Sequence, residues 1–157
     1  MRVIGLDFGK TMGVAVMQRG ELIESSSVKL PDDHGARFDK FFYQLHEASD
    51  YKFGSVIFAY ESVARHIGTK AAHSYGGYLA LLQMFCHRRK LPCHGVPVGT
   101  LKKYATGNGR ASKNEMVKAA NDKYKLKLRM KDNNEADAIW VADWCWNEIK
   151  GDRNESV

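Results

Sequence analysis

The chain has 157 residues, of which 44% are hydrophobic and 27% charged, values that suit one soluble globular domain with a continuous core. Its formal net charge of +6 favours a polyanionic partner, although net charge says nothing about fold. No apolar run approaches the roughly 18 residues of a membrane span, so we expect no membrane partner. The three cysteines cannot all pair within one chain, which favours a reducing, cytoplasmic compartment.

The first third of the chain predicts three strands in an antiparallel meander. The segments Arg2–Phe8, Gly13–Met17 and Glu21–Lys29 are short, rich in β-branched or apolar residues and separated by brief turns. A helix is then indicated by four apolar residues at helical spacing, which are Phe38, Phe41, Phe42 and Leu45. The apolar run Ser55–Tyr60 follows and is typical of a buried strand.

The rest of the chain predicts alternating helices and one more strand. Thr69–Arg89 is a helix with apolar residues on more than one side, so a second subunit could cover part of it. A strand over Pro92–Val98 leads into a segment rich in glycine and lysine. Helices over Ser112–Lys123 and Asn133–Lys150 end the domain. The order βββ-α-β-α-β-α-α predicts one α/β domain over residues 1–150, a mixed sheet flanked by helices, and a flexible tail over residues 151–157.

Two carboxylates stand at the ends of apolar strands. Period-two alternation puts Asp7 on the same face of its strand as Val3, and Glu61 on the same face as Ile57. Either acid alone could be a turn or strand-end residue in contact with solvent. If the two strands run parallel and adjacent, however, both acids meet at the carboxyl edge of the sheet, where open α/β sheets bind ligands.

A third carboxylate, Asp137, lies just inside the last helix. Asn134 is three residues earlier and therefore on the same helical face. Capping of the helix N-terminus explains Asp132, Asn133 and Glu135. Three converging acids suit a hard cation such as Mg²⁺ or Mn²⁺, which activates water for hydrolysis of a phosphodiester.

The segment Leu101–Lys113 combines glycines with four basic residues, Lys102, Lys103, Arg110 and Lys113. Glycines let backbone N–H groups approach phosphate oxygens, and the basic side chains supply charge. A flexible, solvated loop is the alternative interpretation, and the glycine spacing is not that of a P-loop.

The histidines carry no clear signal. The pairs Cys86–His87 and Cys93–His94 lack the spacing of a zinc site. His66 and His73 follow Glu61 toward the predicted site, but we assign them no role, because single histidines are seldom functional.

Four segments together resemble the RuvC family of Holliday junction resolvases, in the RNase H-like superfamily. They are Ile4–Val16, Tyr60–Val63, Thr106–Lys113 and Glu135–Ala138, and they follow the family's order over about residues 1–149. The resemblance implies an RNase H-like, mixed five-stranded sheet. It also implies a homodimer that resolves four-way DNA junctions by paired, Mg²⁺-dependent nicks in recombination and repair, within a bacterial or phage-infected cell.

Carried over residue by residue, the resemblance makes Asp7, Glu61 and Asp137 the catalytic metal ligands. Lys102 and Lys113 match lysines that contact DNA near the scissile phosphate, so we include Lys113 among the catalytic residues. We expect Lys103 and Arg110 to bind DNA as well, and Mn²⁺ to substitute for Mg²⁺.

This chain departs from the family pattern at two places. Asn134 stands where the family has an acid or a histidine, so Asn134, Asp132 or Glu135 could complete the metal site. We therefore expect Asn134→Asp to preserve or raise activity. Ala64, Arg65 and His66 stand where many relatives have an aromatic wedge.

Three other functions remain open from sequence. One is an RNase H-like nuclease of the YqgF type that acts on flaps, RNA:DNA hybrids or ribosomal RNA precursors. Another is a nucleotide binder of the actin or sugar-kinase type, although that fold needs two such domains and 157 residues supply one. The third is a junction-binding protein without catalytic activity.

Overall fold

The computed structural model describes residues 1–49, 54–65 and 68–154, with side chains described through Gly151. The strands are β1 (Arg2–Asp7), β2 (Thr11–Gln18), β3 (Glu21–Lys29), β4 (Val56–Ser62) and β5 (Cys93–Pro97). The helices are α1 (His34–Ser49), α2 (Thr69–Arg89), α3 (Val98–Thr106), α4 (Lys113–Tyr124) and α5 (Asn133–Asn154), with a 3₁₀ turn at Met130–Asp132 before α5. None of the described helices is both long and apolar enough to span a membrane.

The five strands form one mixed sheet in the order β3-β2-β1-β4-β5. β1, β2 and β3 pair antiparallel, whereas β4 pairs parallel with β1 and β5 pairs parallel with β4. The predicted meander and the predicted mixed sheet flanked by helices are therefore confirmed. The parallel register pairs Leu6 with Tyr60, so β1 and β4 end together and their next residues, Asp7 and Glu61, reach the same edge.

The sheet separates two hydrophobic cores, as the alternation along its strands requires. Val3 and Ile57 belong to the core under α4 and α5. Ile4 and Phe58, their sequence neighbours, belong to the core under α1 and α2. Asp7 shares the face of Val3, so its side chain is directed toward the layer of α5.

α5 lies directly on the backbones of β1 and β2 because glycines face it. A methyl group at Gly5 would overlap the backbone of Ala138 and Ala142, and one at Gly13 would overlap the backbone of Asn134. The prediction that β2 begins at Gly13 was wrong, since β2 begins at Thr11 and Gly13 lies within it, opposite Asp7. Gly13 is needed there to admit the helix rather than to form a turn.

The segment after β5 holds a helix that the sequence analysis did not predict. α3 follows Pro97 and has one fully buried side chain, Leu101. It ends at Gly107, whose φ of 79° suits glycine and whose N–H bonds the Lys103 carbonyl. The predicted element order therefore lacks one helix. The short amphipathic helix α3 was not predicted because the lysines and glycines of this segment are typical of a loop.

The C-terminal boundary also differs from the prediction. α5 continues through Asn154, four residues past the predicted end at Lys150, so residues 151–154 of the predicted tail are helical. Residues 155–157 lie outside the described part of the chain.

A polar network joins α3 and α4 to α5. The carboxylate of Asp143, on α5, is buried and accepts hydrogen bonds from Lys123 of α4 and, at 3.1 Å, from the Tyr104 hydroxyl of α3. The Lys123 ammonium also lies 5.3 Å from the centre of the Trp140 ring. Because a buried carboxylate is costly without partners, this network fixes the positions of both helices on α5.

The close approach of α5 to β2 predicts a large effect of a single methyl group. Gly13→Ala forces the helix and strand backbones apart, and we expect a loss of about 3 kcal/mol in the free energy of unfolding, the upper part of the range for overpacking. Urea unfolding followed by circular dichroism measures this. Gly99→Ala on α3 is the matched control, because no atom lies within 4 Å of the added carbon, and should be neutral or slightly stabilising. Equal effects of the two variants would contradict the close-packing account.

Candidate active site

One cleft at the carboxyl edge of the sheet gathers six of the eight residues predicted from sequence. It holds about 300 Å³ and is lined by Asp7, Phe8, Glu61, Val98, Lys102, Lys113, Met116, Asn134 and Asp137. We call it the acidic cleft. The other two predicted residues, Lys103 and Arg110, are exposed and do not line it.

The three carboxylates come from three elements whose packing brings them together. Asp7 is the last residue of β1 and Glu61 the penultimate residue of β4, and these strands are parallel neighbours. Asp137 lies in the second turn of α5, which the glycines of β1 and β2 allow close to the sheet. All three predicted side chains therefore line the same cleft.

Burial raises the pKa of all three acids, and repulsion by neighbouring carboxylates adds to the shift for Asp7 and Glu61. Burial chiefly, and then the charges of Glu61 and Asp137, hold the pKa of Asp7 well above its usual range. Burial and the charge of Asp137 raise the pKa of Glu61 to about 7, and burial raises the pKa of Asp137 to about 6. Lys113 opposes each of these shifts without cancelling it. The folded protein therefore carries electrostatic strain that a cation in the cleft would relieve.

Two lysines form the basic wall of the cleft. Lys102 lies on α3, and Lys113 is the first residue of α4, where its Nζ donates to Asn133 Oδ1 at 3.3 Å. Both lower the pKa values of Glu61 and Asp137, so their charges reach the acids. An anionic group in the cleft would meet these ammonium groups on one side and the carboxylates on the other.

The segment between the two lysines is ordered by its own side chains. Thr106 Oγ1 donates to the Lys102 carbonyl at 2.9 Å, and Asn108 Oδ1 accepts from the Arg110 N–H at 3.0 Å. Ser112 and Glu115 form the capping box expected at the start of α4. These hydrogen bonds give the connection between α3 and α4 a defined conformation rather than that of a flexible loop. Arg110 lies on the exposed outer side of this connection.

Asn134 lines the acidic cleft, but its amide is already engaged. Nδ2 donates to the Thr11 carbonyl at 2.7 Å, a bond that joins α5 to the start of β2. Only Oδ1 remains as a candidate ligand. A carboxylate at this position could not make the bond to Thr11, which argues against the expectation that Asn134→Asp preserves or raises activity.

The other residues considered for the metal site lie elsewhere. Asp132 accepts from the N–H and the guanidinium of Arg129, and Glu135 accepts from Ser25 Oγ at 2.6 Å. Neither lines the acidic cleft. His73 is exposed and also outside it, and His66 lies outside the described residues.

The donor set fits a divalent cation that keeps part of its water shell. Within the described ranges no group of three His, Cys, Asp or Glu side chains is assembled closely enough to enclose a metal ion, and the three cysteines are free thiols. Mg²⁺ is usually held by one or two carboxylates together with waters and substrate phosphate oxygens, so no complete protein cage is required. Carboxylate oxygens facing one small cleft, two with pKa values near neutrality, are suitable ligands for such an ion.

Sequence reasoning assigned no role to Phe8, the aromatic residue of this region. It directly follows Asp7, lines the acidic cleft and also lines a second, larger cavity beside it. Its ring stacks on Tyr60, with centroids 5.6 Å apart and an interplanar angle of 12°. An aromatic residue immediately after a strand-end aspartate was the available signal.

No protein-family model and no curated protein matches the sequence. Solved structures do match. Thermus thermophilus RuvC in complex with a Holliday junction substrate is 20% identical with a TM-score of 0.74 and 90% of each chain covered. T. thermophilus RuvC alone is 20% identical with a TM-score of 0.72, covering 96% of this chain and 97% of that one. The yeast mitochondrial Holliday junction resolvase Ydc2 is 16% identical with a TM-score of 0.58, covering 90% of this chain and 75% of that one. These likenesses confirm the predicted RNase H-like architecture: the chain has the fold of RuvC.

Proposed function

We propose that this protein is a structure-selective endonuclease that resolves four-way DNA junctions by Mg²⁺-dependent nicks in recombination and repair. The observation that carries the proposal is the acidic cleft, where Asp7, Glu61 and Asp137 face Lys102 and Lys113 in a RuvC-like fold. The matched structures are named as RuvC and as a Holliday junction resolvase, which supports branched DNA as the substrate.

The carboxylates are proposed to hold the cation, with Asn134 Oδ1 as a fourth, neutral ligand. When bound, a divalent cation, Mg²⁺ or in its place Mn²⁺, supplies Lewis-acid activation of water and neutralises charge on the phosphodiester. The raised pKa of Asp7 and that of Glu61, about 7, support this role, because ligands crowded in this way are stabilised by a positive ion.

The lysines are proposed to hold the phosphodiester. Lys113 stands at the N-terminus of α4, where the helix dipole adds to the attraction for an anion. Lys102 stands on the neighbouring wall, so the two ammonium groups orient a phosphate toward the carboxylates and stabilise negative charge that develops on it. Lys103 and Arg110, on the exposed side of the same region, are proposed to contact the DNA backbone farther out.

A homodimer is the proposed assembly, because paired nicks need two active sites. On α2, Tyr78, Leu82 and Phe85 are buried in the core. Met84 is 37% exposed, and Leu81 is only partly buried, which leaves apolar surface for a second subunit.

The test of the proposed function is cleavage of a synthetic four-way junction by the wild type and by Asp7→Asn. We expect Mg²⁺-dependent nicking by the wild type and a loss of at least about a hundredfold in Asp7→Asn, since one carboxylate of the metal set becomes neutral. Junction affinity should change less than threefold, because the lysines that bind phosphate remain. Asp132→Asn, outside the cleft, is the matched control and should cut normally.

Other substrates decide between the alternatives. A flap, a linear duplex and an RNA:DNA hybrid are offered at the same concentration as the junction. Preferential cutting of the hybrid or the flap would refute junction resolution in favour of another RNase H-like nuclease. Tight junction binding without nicking in Mg²⁺ or Mn²⁺ would identify a non-catalytic junction-binding protein, and full activity of Asp7→Asn would refute the metal site.

Asn134→Asp should destabilise the metal-free protein by about 1 kcal/mol, the usual net contribution of one hydrogen bond, because the Thr11 carbonyl loses the Asn134 donor and a fourth acid enters the cleft. Cleavage at saturating Mg²⁺ should not exceed that of the wild type. Asn133→Asp is the control, since it adds the same charge one residue away, next to Lys113. Greater stability or a faster rate for Asn134→Asp would mean that the amide is not needed by Thr11.

The raised carboxyl pKa values predict how stability depends on pH without metal. In the unfolded chain Glu61 titrates near its ordinary value of 4.5, but in the folded protein near 7, so the folded state binds more protons between these values. The free energy of unfolding therefore falls as pH rises through that window. Relative to wild type, Glu61→Gln should gain on the order of 2 kcal/mol between pH 4.5 and 8. Denaturant titrations at a series of pH values measure the difference, and a constant difference would contradict the raised pKa.

A further inference from the structure

A second cavity lies beside the acidic cleft and has no role in the proposed function. It holds about 500 Å³, against about 300 Å³ for the cleft, and both are lined by Asp7, Phe8 and Glu61. Its volume is within the range of sites that hold small ligands or single groups of larger ones. We call it the aromatic cavity, after the rings of Phe8, Tyr75 and Tyr78 that line it.

The aromatic walls are held in place. The ring centroid of Phe8 lies 5.6 Å from that of Tyr75 and 5.8 Å from that of Tyr78. The Tyr75 hydroxyl donates to the Glu61 carbonyl at 3.1 Å, and the Tyr78 hydroxyl donates to the Gly9 carbonyl at 3.3 Å. Because their polar ends are bonded to the backbone, the tyrosines offer mainly ring surface to an occupant, and little reordering is needed to bind one.

Cationic side chains also line this cavity. Lys10 and Lys70 are exposed, whereas Arg37 is buried and its guanidinium donates to the Asp32 carbonyl at 2.6 Å. The Lys10 ammonium pairs with the Asp32 carboxylate at 2.7 Å, but this pair is exposed and therefore weak enough to be exchanged for a phosphate. Two carboxylates, Asp7 and Glu61, line the side shared with the acidic cleft. The aromatic walls suit a flat ring, and Lys10 and Lys70 suit the anionic chain to which a nucleic-acid base is attached.

We propose that the aromatic cavity receives one unstacked base of the DNA strand whose phosphodiester lies in the acidic cleft. The proposal rests on the proposed function, since it takes the cleft to hold the scissile phosphate. The cavity and the cleft share Asp7, Phe8 and Glu61 as lining residues, so a phosphate in the cleft and its neighbouring base in the cavity would both contact this group of side chains. Stacking of a base on aromatic side chains is favourable for any base.

This arrangement gives a physical reason for a preference for branched DNA. A base must leave its stack to enter the cavity, and unstacking costs least where pairing is already disturbed, as at a branch point. A linear duplex would have to break a base pair first. The acidic cleft alone offers no such discrimination, because it contacts only backbone.

The test is a thermodynamic cycle between a cavity-filling variant and an abasic junction. Ala71 of α2 lines the cavity, and Ala71→Trp places an indole in the space of the base. Abasic sites are introduced one at a time beside the cleavage position, and affinity is measured without divalent cation so that the strands stay uncut. For the wild type we expect one abasic position to weaken binding about tenfold, through lost stacking.

Ala71→Trp should bind the intact junction about tenfold more weakly than the wild type. The abasic position that weakens wild-type binding should not weaken binding by Ala71→Trp any further, because both changes remove the same interaction. His73→Trp is the matched control. His73 is exposed on the same helix and outside the cavity, so this variant should respond to the abasic site as the wild type does. Ala71→Leu, a smaller filling residue, repeats the cycle if Ala71→Trp does not unfold cooperatively.

Two outcomes overturn the proposal. In the first, no abasic position weakens binding by the wild type. In the second, the abasic site weakens binding by Ala71→Trp by the same factor as binding by the wild type, as expected of two independent changes. The cycle uses binding alone, so it is separate from the test of catalysis. A wild type that binds the junction but never nicks it in Mg²⁺ would refute the proposed nuclease while the cycle still decides whether a base enters the cavity.

Discussion

The contact of α5 with the backbones of β1 and β2 is the constraint on which the site depends. Gly5 and Gly13 leave no side chain between the sheet and the helix, so Ala138 and Ala142 rest on the strands themselves. This depth brings Asp137 level with the carboxyl edge of the sheet, where Asp7 and Glu61 end their strands. A helix held at an ordinary distance by larger side chains would leave Asp137 out of reach of the other two acids.

The same packing lowers the stability of the folded protein when nothing is bound at the site. Three carboxylates are brought into a partly buried cleft, and the nearby lysines offset the effect of burial on their pKa values only in part. A protein selected for stability alone would neutralise or separate such groups. In the proposed function a cation and a phosphate bind among these groups, and their binding would restore the stability that the crowded acids cost.

Sequence reasoning succeeded where the signal was local. The alternation in β1 and β4 identified the faces of Asp7 and Glu61, and helical spacing put Asn134 beside Asp137. It failed where the deciding contact was distant. The hydrogen bond from Asn134 to Thr11 spans 123 positions, and the aromatic cavity joins Phe8 to rings of α2. Phe8 itself stands next to Asp7, but neither of these distant contacts is visible in a short window of sequence. α3 was missed because its buried contact with the core depends chiefly on Leu101, among lysines and glycines typical of a loop.

The polar network around Asp143 has a consequence for how such proteins can diverge. The acids of the cleft belong to β1, β4 and α5, whereas its lysines belong to the stretch from α3 to α4. Lys123 and Tyr104 attach that stretch to α5 at Asp143, which follows the cleft residue Asp137 along the same helix. A longer connection between α3 and α4, or a different distribution of its basic residues, therefore need not disturb the attachment point or the acids. In the proposed nuclease, the residues that bind phosphate and the residues that hold the cation would therefore belong to separate structural units of one small domain.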